Sequence, residues 1–99
     1  MSYNQFITED RRLVILQALN KDSGYSHNES VLQSILGEMG HRVSRDQIKT
    51  LLGWLAEQGL VTTKIIGESL IVAQLTSRGG DVATGMVTVP GVKRPLPGL

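Results

Sequence analysis

Apolar positions recur along this chain at two periods, and the switch between them divides it. Leu13, Leu16 and Leu19, flanked by Val14 and Ile15, keep helical spacing. Thr8 as N-cap and Glu9-Asp10 on the first turn, where the helix dipole favours negative charge, predict a first helix over about residues 9–20. Val31, Leu32, Ile35, Leu36 and Met39 form a second stripe, opened by a Ser26-x-x-Glu29 capping box and closed by Gly40. Ser44-x-x-Gln47 repeats that box ahead of Ile48, Leu51, Leu52 and Leu55, which fall within about 100° of one another on a helical wheel. Gly59-Leu60 closes this third helix. From Leu60 the period becomes that of strands. Residues 60–66 and 69–75 are rich in Val, Ile and Thr, and Gly67-Glu68 between them predicts a two-residue hairpin turn. Residues 76–85 predict a short fourth helix that Gly79-Gly80 weakens, and residues 86–99, with all three prolines, are expected to be extended or irregular.

That order predicts an α+β winged helix-turn-helix: three to four helices, a two-stranded β-hairpin wing and an extended C-terminal tail. With 99 residues there is room for one domain, placed at 1–85, followed by the tail at 86–99. The wing is unusual. With a two-residue turn, Leu60, Ile71, Ala73 and Leu75 share one face, and Val61, Ile65, Leu70 and Val72 share the other. Only one of two apolar faces can cover the core, so the second is expected to lie under the tail around Met86–Val89 or under a partner subunit.

Composition narrows the chemistry. The absence of cysteine rules out disulfides, thiolate metal sites and cysteine nucleophiles. His27 and His41 lack ligand-like spacing, so no metal is expected, and His41 in the turn reads as a cap or surface residue. No nucleophile elbow, phosphate-binding glycine loop or carboxylate cluster occurs, which predicts no enzyme and no cofactor. No apolar run nears the ~20 residues of a membrane helix. Met1–Gln5 lacks the basic start and apolar stretch of a secretory signal, and the expectation is a cytoplasmic protein.

Ten Lys and Arg against nine Asp and Glu leave a net charge of +1, so the distribution of charge matters more than its sum. With the apolar stripe of the third helix turned inward, Asp46, Lys49, Thr50, Gly53 and Glu57 face out, with Arg45 on one flank and Gln47 and Trp54 on the other. An α-helix fits the major groove of DNA, and Arg, Gln, Lys and Thr suit base edges and phosphates. The predicted contacts with double-stranded DNA are Ser44, Arg45, Gln47, Lys49 and Thr50, with Arg42, Lys64 and Arg78 as phosphate anchors. A homodimer is expected, because such readers bind paired half-sites. Between residues 41 and 78 five basic side chains meet three acidic ones, Asp46, Glu57 and Glu68, so the basic footprint is modest. The competing reading is a protein-interaction module using Trp54, Val61, Ile65, Leu70 and Val72. Trp54 also fits a second role, packing at the edge of the core against the second helix or the chain terminus.

Several segments resemble a family of small proteins of Mu-like phages and prophages described as ArsR-like winged-helix regulators. The resemblance runs through Glu9–Leu16, Asn28–Leu32, Gly40–Asp46, Trp54–Val61, Leu75-Thr76-x-Arg78-Gly79-x-Asp81-Val82-Ala83 and Val89–Pro95, nearly the whole chain. It implies a winged-helix fold, a phage or prophage origin in a bacterial host and a role in transcription regulation; under the competing reading, that origin implies a module of phage morphogenesis or DNA packaging. It implies no metal sensing, since the Cys ligands of metal-responsive members are missing.

Overall fold

In the computed structural model, which describes residues 2–97, the first helix begins well before its apolar stripe. Helix α1 spans Tyr3–Lys21 and is capped by Ser2, not Thr8: Ser2 Oγ accepts from Gln5 N and Gln5 Oε1 accepts from Ser2 N. This capping box starts the helix two turns early, on residues that bury little: Tyr3 and Phe6 are exposed. Further along, Leu13, Val14, Ile15 and Leu16 are buried in succession, because α1 is packed on several sides.

The segment read as the start of the second helix is first a strand. Ser26–Asn28 forms β1, paired antiparallel with Val72–Gln74, and helix α2 (Glu29–Glu38) starts behind an Asn28 cap whose side chain accepts from Val31 N at 2.9 Å. Ser26 therefore caps nothing, and Glu29 is released from the capping role for another one described below. Helix α3 (Arg45–Glu57) starts with the expected Ser44/Gln47 box. Both α2 and α3 end in the same way. A glycine with positive φ (Gly40, +90°; Gly59, +74°) lets the next amide, of His41 or Leu60, reach back to Leu36 O or Leu55 O.

The hairpin differs from its expected register by one residue. Strands β2 (Val61–Ile66) and β3 (Leu70–Leu75) pair Ile66 with Leu70, so the turn holds three residues, Gly67-Glu68-Ser69. A one-residue change moves side chains to opposite faces. Val61, Thr63, Ile65, Ile71, Ala73 and Leu75 now share the face toward the helices, and Thr62, Lys64, Ile66, Leu70, Val72 and Gln74 share the other. The second face is thus mixed in polarity and not a continuous apolar sheet. Val61, expected on a contact surface, is 2% exposed and belongs to the core.

The sheet order is β1-β3-β2, antiparallel throughout, and helix α4 (Ser77–Thr84) follows behind a Thr76 cap. Gly79 inside α4 is a close-approach residue: an added Cβ would stand 2.0 Å from Leu60 O. The result is an α+β arrangement of four helices and a three-stranded sheet, compatible with a winged helix. The segment after α4 leaves the wing alone. Val89 and Val92 sink into the helical core, Arg12 Nη1 donates to Gly91 O at 2.9 Å, and Lys93 N donates to Glu9 O. Met86 is exposed, and the expectation that this stretch covers the hairpin is corrected: it covers α1 and α3 instead. No helix among the described residues is long and apolar enough to cross a membrane.

Candidate nucleic-acid interface

The inward stripe of α3 is fully used: Ile48, Leu51, Leu52 and Leu55 are all buried. What remains outside follows from the helical period, and Ser44, Arg45, Asp46, Gln47, Lys49, Thr50 and Gly53 are exposed. No other part of the described chain lies over them. Gly53 meets nothing within 4 Å of an added Cβ, so the middle of that face is open backbone.

Several predicted contact residues are already engaged within the fold. Ser44 and Gln47 hold each other in the capping box, and Thr50 Oγ1 donates to Asp46 O at 3.1 Å. Arg45 is tied from behind, its Nη2 donating to Glu29 Oε1 at 2.8 Å. Glu29 is 1% exposed and its Oε2 has no hydrogen-bond partner among the described residues, so Arg45 is the counter-charge of a buried carboxylate. Arg78 Nη1 donates to Gln58 O, which places it at the C-terminal end of α3. A helix of 13 residues is about 20 Å long, so Arg78 stands far from Arg45. The structure brings Arg42, Arg45 and Lys49 to one end of α3, sets Lys64 on the outer face of the hairpin, and leaves Arg78 apart.

Behind this end of α3 lies a polar cluster that sequence reasoning missed. His41 is 7% exposed and is neither a cap nor a surface residue. Its Nδ1 accepts from Arg11 Nε at 3.3 Å, which leaves the proton on Nε2, 2.6 Å from Asp10 Oδ2. Lys93 Nζ donates to the other oxygen of Asp10 at 3.1 Å. Burial pushes the Asp10 carboxyl up, but the hydrogen bonds from His41 and Lys93 outweigh it and hold the group below its usual value. One carboxylate thereby joins α1, the turn before α3 and the C-terminal segment. Gln33 Nε2 secures the same turn by donating to Val43 O. No sequence signal marks this cluster, because its members are separated by about 30 and 80 positions.

Trp54 resolves into packing. The Arg12 guanidinium lies 3.7 Å from its ring centroid, and a Cβ on Gly91 would stand 2.7 Å from the indole. Burial, opposed by Glu9, lowers the Arg12 pKa from its ordinary value. The expected contact set of Trp54, Val61, Ile65, Leu70 and Val72 is thereby divided. Trp54 lies half-buried against Gly91 of the C-terminal segment, Val61 is in the core, Ile65 is exposed on one face of the hairpin, and Leu70 and Val72 are half-buried on the other. Among the described residues no group of three or more His, Cys, Asp or Glu is placed to hold a metal ion.

No family model matches the chain. It is 52% identical over 94 residues to the uncharacterized protein gp26 of Escherichia phage Mu, covering 95% of this chain and 96% of that one. It is 44% identical over 78 residues to an uncharacterized protein of Haemophilus influenzae, covering 79% and 76% respectively.

Proposed function

The chain belongs to the family of the phage Mu protein gp26, and from that premise we propose that it is a winged-helix protein that binds double-stranded DNA in phage transcription or another phage DNA transaction. One observation carries the reading: the outward side of α3 from Ser44 to Gly53 is exposed, uncovered by the rest of the described chain, and holds Arg45, Gln47, Lys49 and Thr50. A helix presented in this way has the dimensions of the major groove, and an exposed Lys or Arg beside it neutralises phosphates. The hairpin that follows α3 carries Lys64 outward and supports the comparison with a wing. The ArsR-like label, with its implication of a regulator, rests on the same reading.

The residues assigned to DNA divide by freedom. Arg42, Lys49 and Lys64 are exposed and are the phosphate contacts. Arg45, held by Glu29, presents a fixed guanidinium, and Arg78 belongs to the helix end and not to the groove.

Fluorescence anisotropy against labelled duplex fragments of a Mu-like phage genome tests this. Affinity is expected to fall by orders of magnitude between about 50 and about 200 mM salt, and Lys49→Ala is expected to reduce the logarithmic salt slope by about one. Binding that is indifferent to salt and to Lys49→Ala overturns the proposal. A second reading, a protein-interaction module in morphogenesis or packaging, is favoured by the hairpin tip, where Ile65 and Ile66 are 66% and 49% exposed. A partner held by those side chains would be retained at high salt and lost in Ile65→Ser.

A further inference from the structure

A three-stranded sheet in the order β1-β3-β2 has two open edges, and they are built differently. The β1 edge is three residues long and passes directly into α2. The β2 edge is six residues long, and its pairing to β3 runs through six consecutive positions without a bulge. Thr62, Thr63, Lys64, Ile65 and Ile66 are all exposed, five of the six residues are β-branched, and Lys64 is the one charge. Proline is absent. Natural edges of this length are normally blunted by several charges, a proline or a bulge, because their free N–H and C=O groups template another strand.

We infer that the β2 edge is a docking site for the β2 strand of a second copy of this chain, paired antiparallel about a two-fold axis at Thr63. The sequence of the strand makes the choice of occupant. Two identical strands related by an axis perpendicular to the sheet must place one residue opposite itself. Only centres at Thr63 or Lys64 give five paired positions within β2. A centre at Lys64 sets two ammonium groups face to face, which cross-strand pairing disfavours. A centre at Thr63 pairs two threonines, sets Lys64 against Thr62 of the partner subunit, and brings exposed Ile65 beside Val61 of the partner subunit at the margin of the core. The strand is self-complementary in that register: apolar meets apolar on one face, and the lysines stay apart on the other. Five paired positions form a small seam, below the ~1,200 Å² of stable interfaces, so the association is concentration-dependent. The inference does not rest on the duplex reading.

The absence of cysteine makes the register directly readable in the full chain. Directly opposed residues have Cα atoms about 4.5–5.5 Å apart, inside the disulfide range of about 4.4–6.8 Å. Under mild oxidation Thr63→Cys is expected to form a linked dimer. Thr62→Cys and Lys64→Cys, each two positions out of step with itself and roughly 8 Å from its own copy, are expected to stay monomeric alone but to link with each other when mixed. Sedimentation of the cysteine-free protein is expected to show a dimer that grows with concentration and is lost in Thr63→Lys. A monomer at up to about 1 mM, which a strand contributed by some other protein would leave, overturns the inference. So does self-linking of Thr62→Cys or Lys64→Cys as readily as Thr63→Cys. Circular dichroism of each variant separates a lost contact from a lost fold.

Discussion

Arg45 and Glu29 illustrate how a single pair can serve two purposes. Glu29 is buried at the start of α2, and Arg45 is the first residue of α3 with its side chain 45% exposed. The arginine therefore satisfies a carboxylate on one side and faces solvent on the other. Arg45→Ala leaves the carboxylate without its partner, and we expect a loss of about 1–3 kcal/mol, toward the lower end because the guanidinium is half in water. Urea denaturation reads this, and an unchanged midpoint would refute the role given to Glu29. Loss of DNA binding in Arg45→Ala is for that reason a poor test of groove contact, whereas Lys49→Ala is a clean one. Gly79 is decisive in another way. An alanine there drives Cβ into the Leu60 carbonyl at 2.0 Å, and the alanine's better helix propensity cannot offset that clash. Gly79→Ala is expected to destabilise by at least about 1–3 kcal/mol, seen as a lower melting temperature, and a more stable variant would contradict the packing of α4 on Leu60.

At the scale of elements, the capping signals divide into those that local chemistry settles and those that it does not. Ser44-x-x-Gln47 forms its box because nothing competes for Ser44. Ser26-x-x-Glu29 has the same pattern and does not form one, since β3 offers Ser26–Asn28 a full strand pairing and Asn28 is equally able to cap. Ser2-x-x-Gln5 forms a box that the apolar stripe alone conceals, because the first two turns of α1 bury little. The hairpin register is open for a related reason: Gly67 serves a two- or a three-residue turn, and the burial of Ala73 and Val61 selects the latter. The contact between α1 and the C-terminal segment has a pH signature. A carboxyl held below its usual value contributes stability that is complete above the unfolded pKa, near 3.9, and is lost as pH falls through the lower folded value. Below about pH 5, the stability difference between the wild type and Asp10→Asn is thus expected to close as the acid strengthens. Thermal melts across that range check it; a difference that widened on acidification would reverse the assignment.

For the whole molecule, the C-terminal segment is part of the core. Val89 and Val92 are 4% and 5% exposed, and Gly91 closes over Trp54. A chain cut before Met86 exposes what these two valines cover, a loss of about 3–6 kcal/mol at 1.5–3 kcal/mol per buried side chain. Against a total of about 5–15 kcal/mol for a domain, that is a large fraction, and the truncated chain is expected to melt far below the intact one. An unchanged melting temperature would show that the segment is dispensable. The same segment, through Lys93 and Asp10, reaches His41 in the turn before α3, so its removal is also expected to loosen the end of α3 that faces outward.

The sequence by itself determined the elements whose signals are local. The buried stripe of α3, its cap and its glycine end, the presence of a hairpin after it and a short fourth helix all follow from period and turn chemistry, and so does the exposed side of α3. Only the tertiary structure decided what depends on distant partners: the third strand, the one-residue register, the burial of Val61, the assignment of Glu29 to Arg45, and the cluster of Asp10, His41 and Lys93. The reason is physical. Helical period and capping act within four or five residues and are written in adjacent positions, whereas strand pairing and ion pairing are chosen by which surfaces the packed helices bring together.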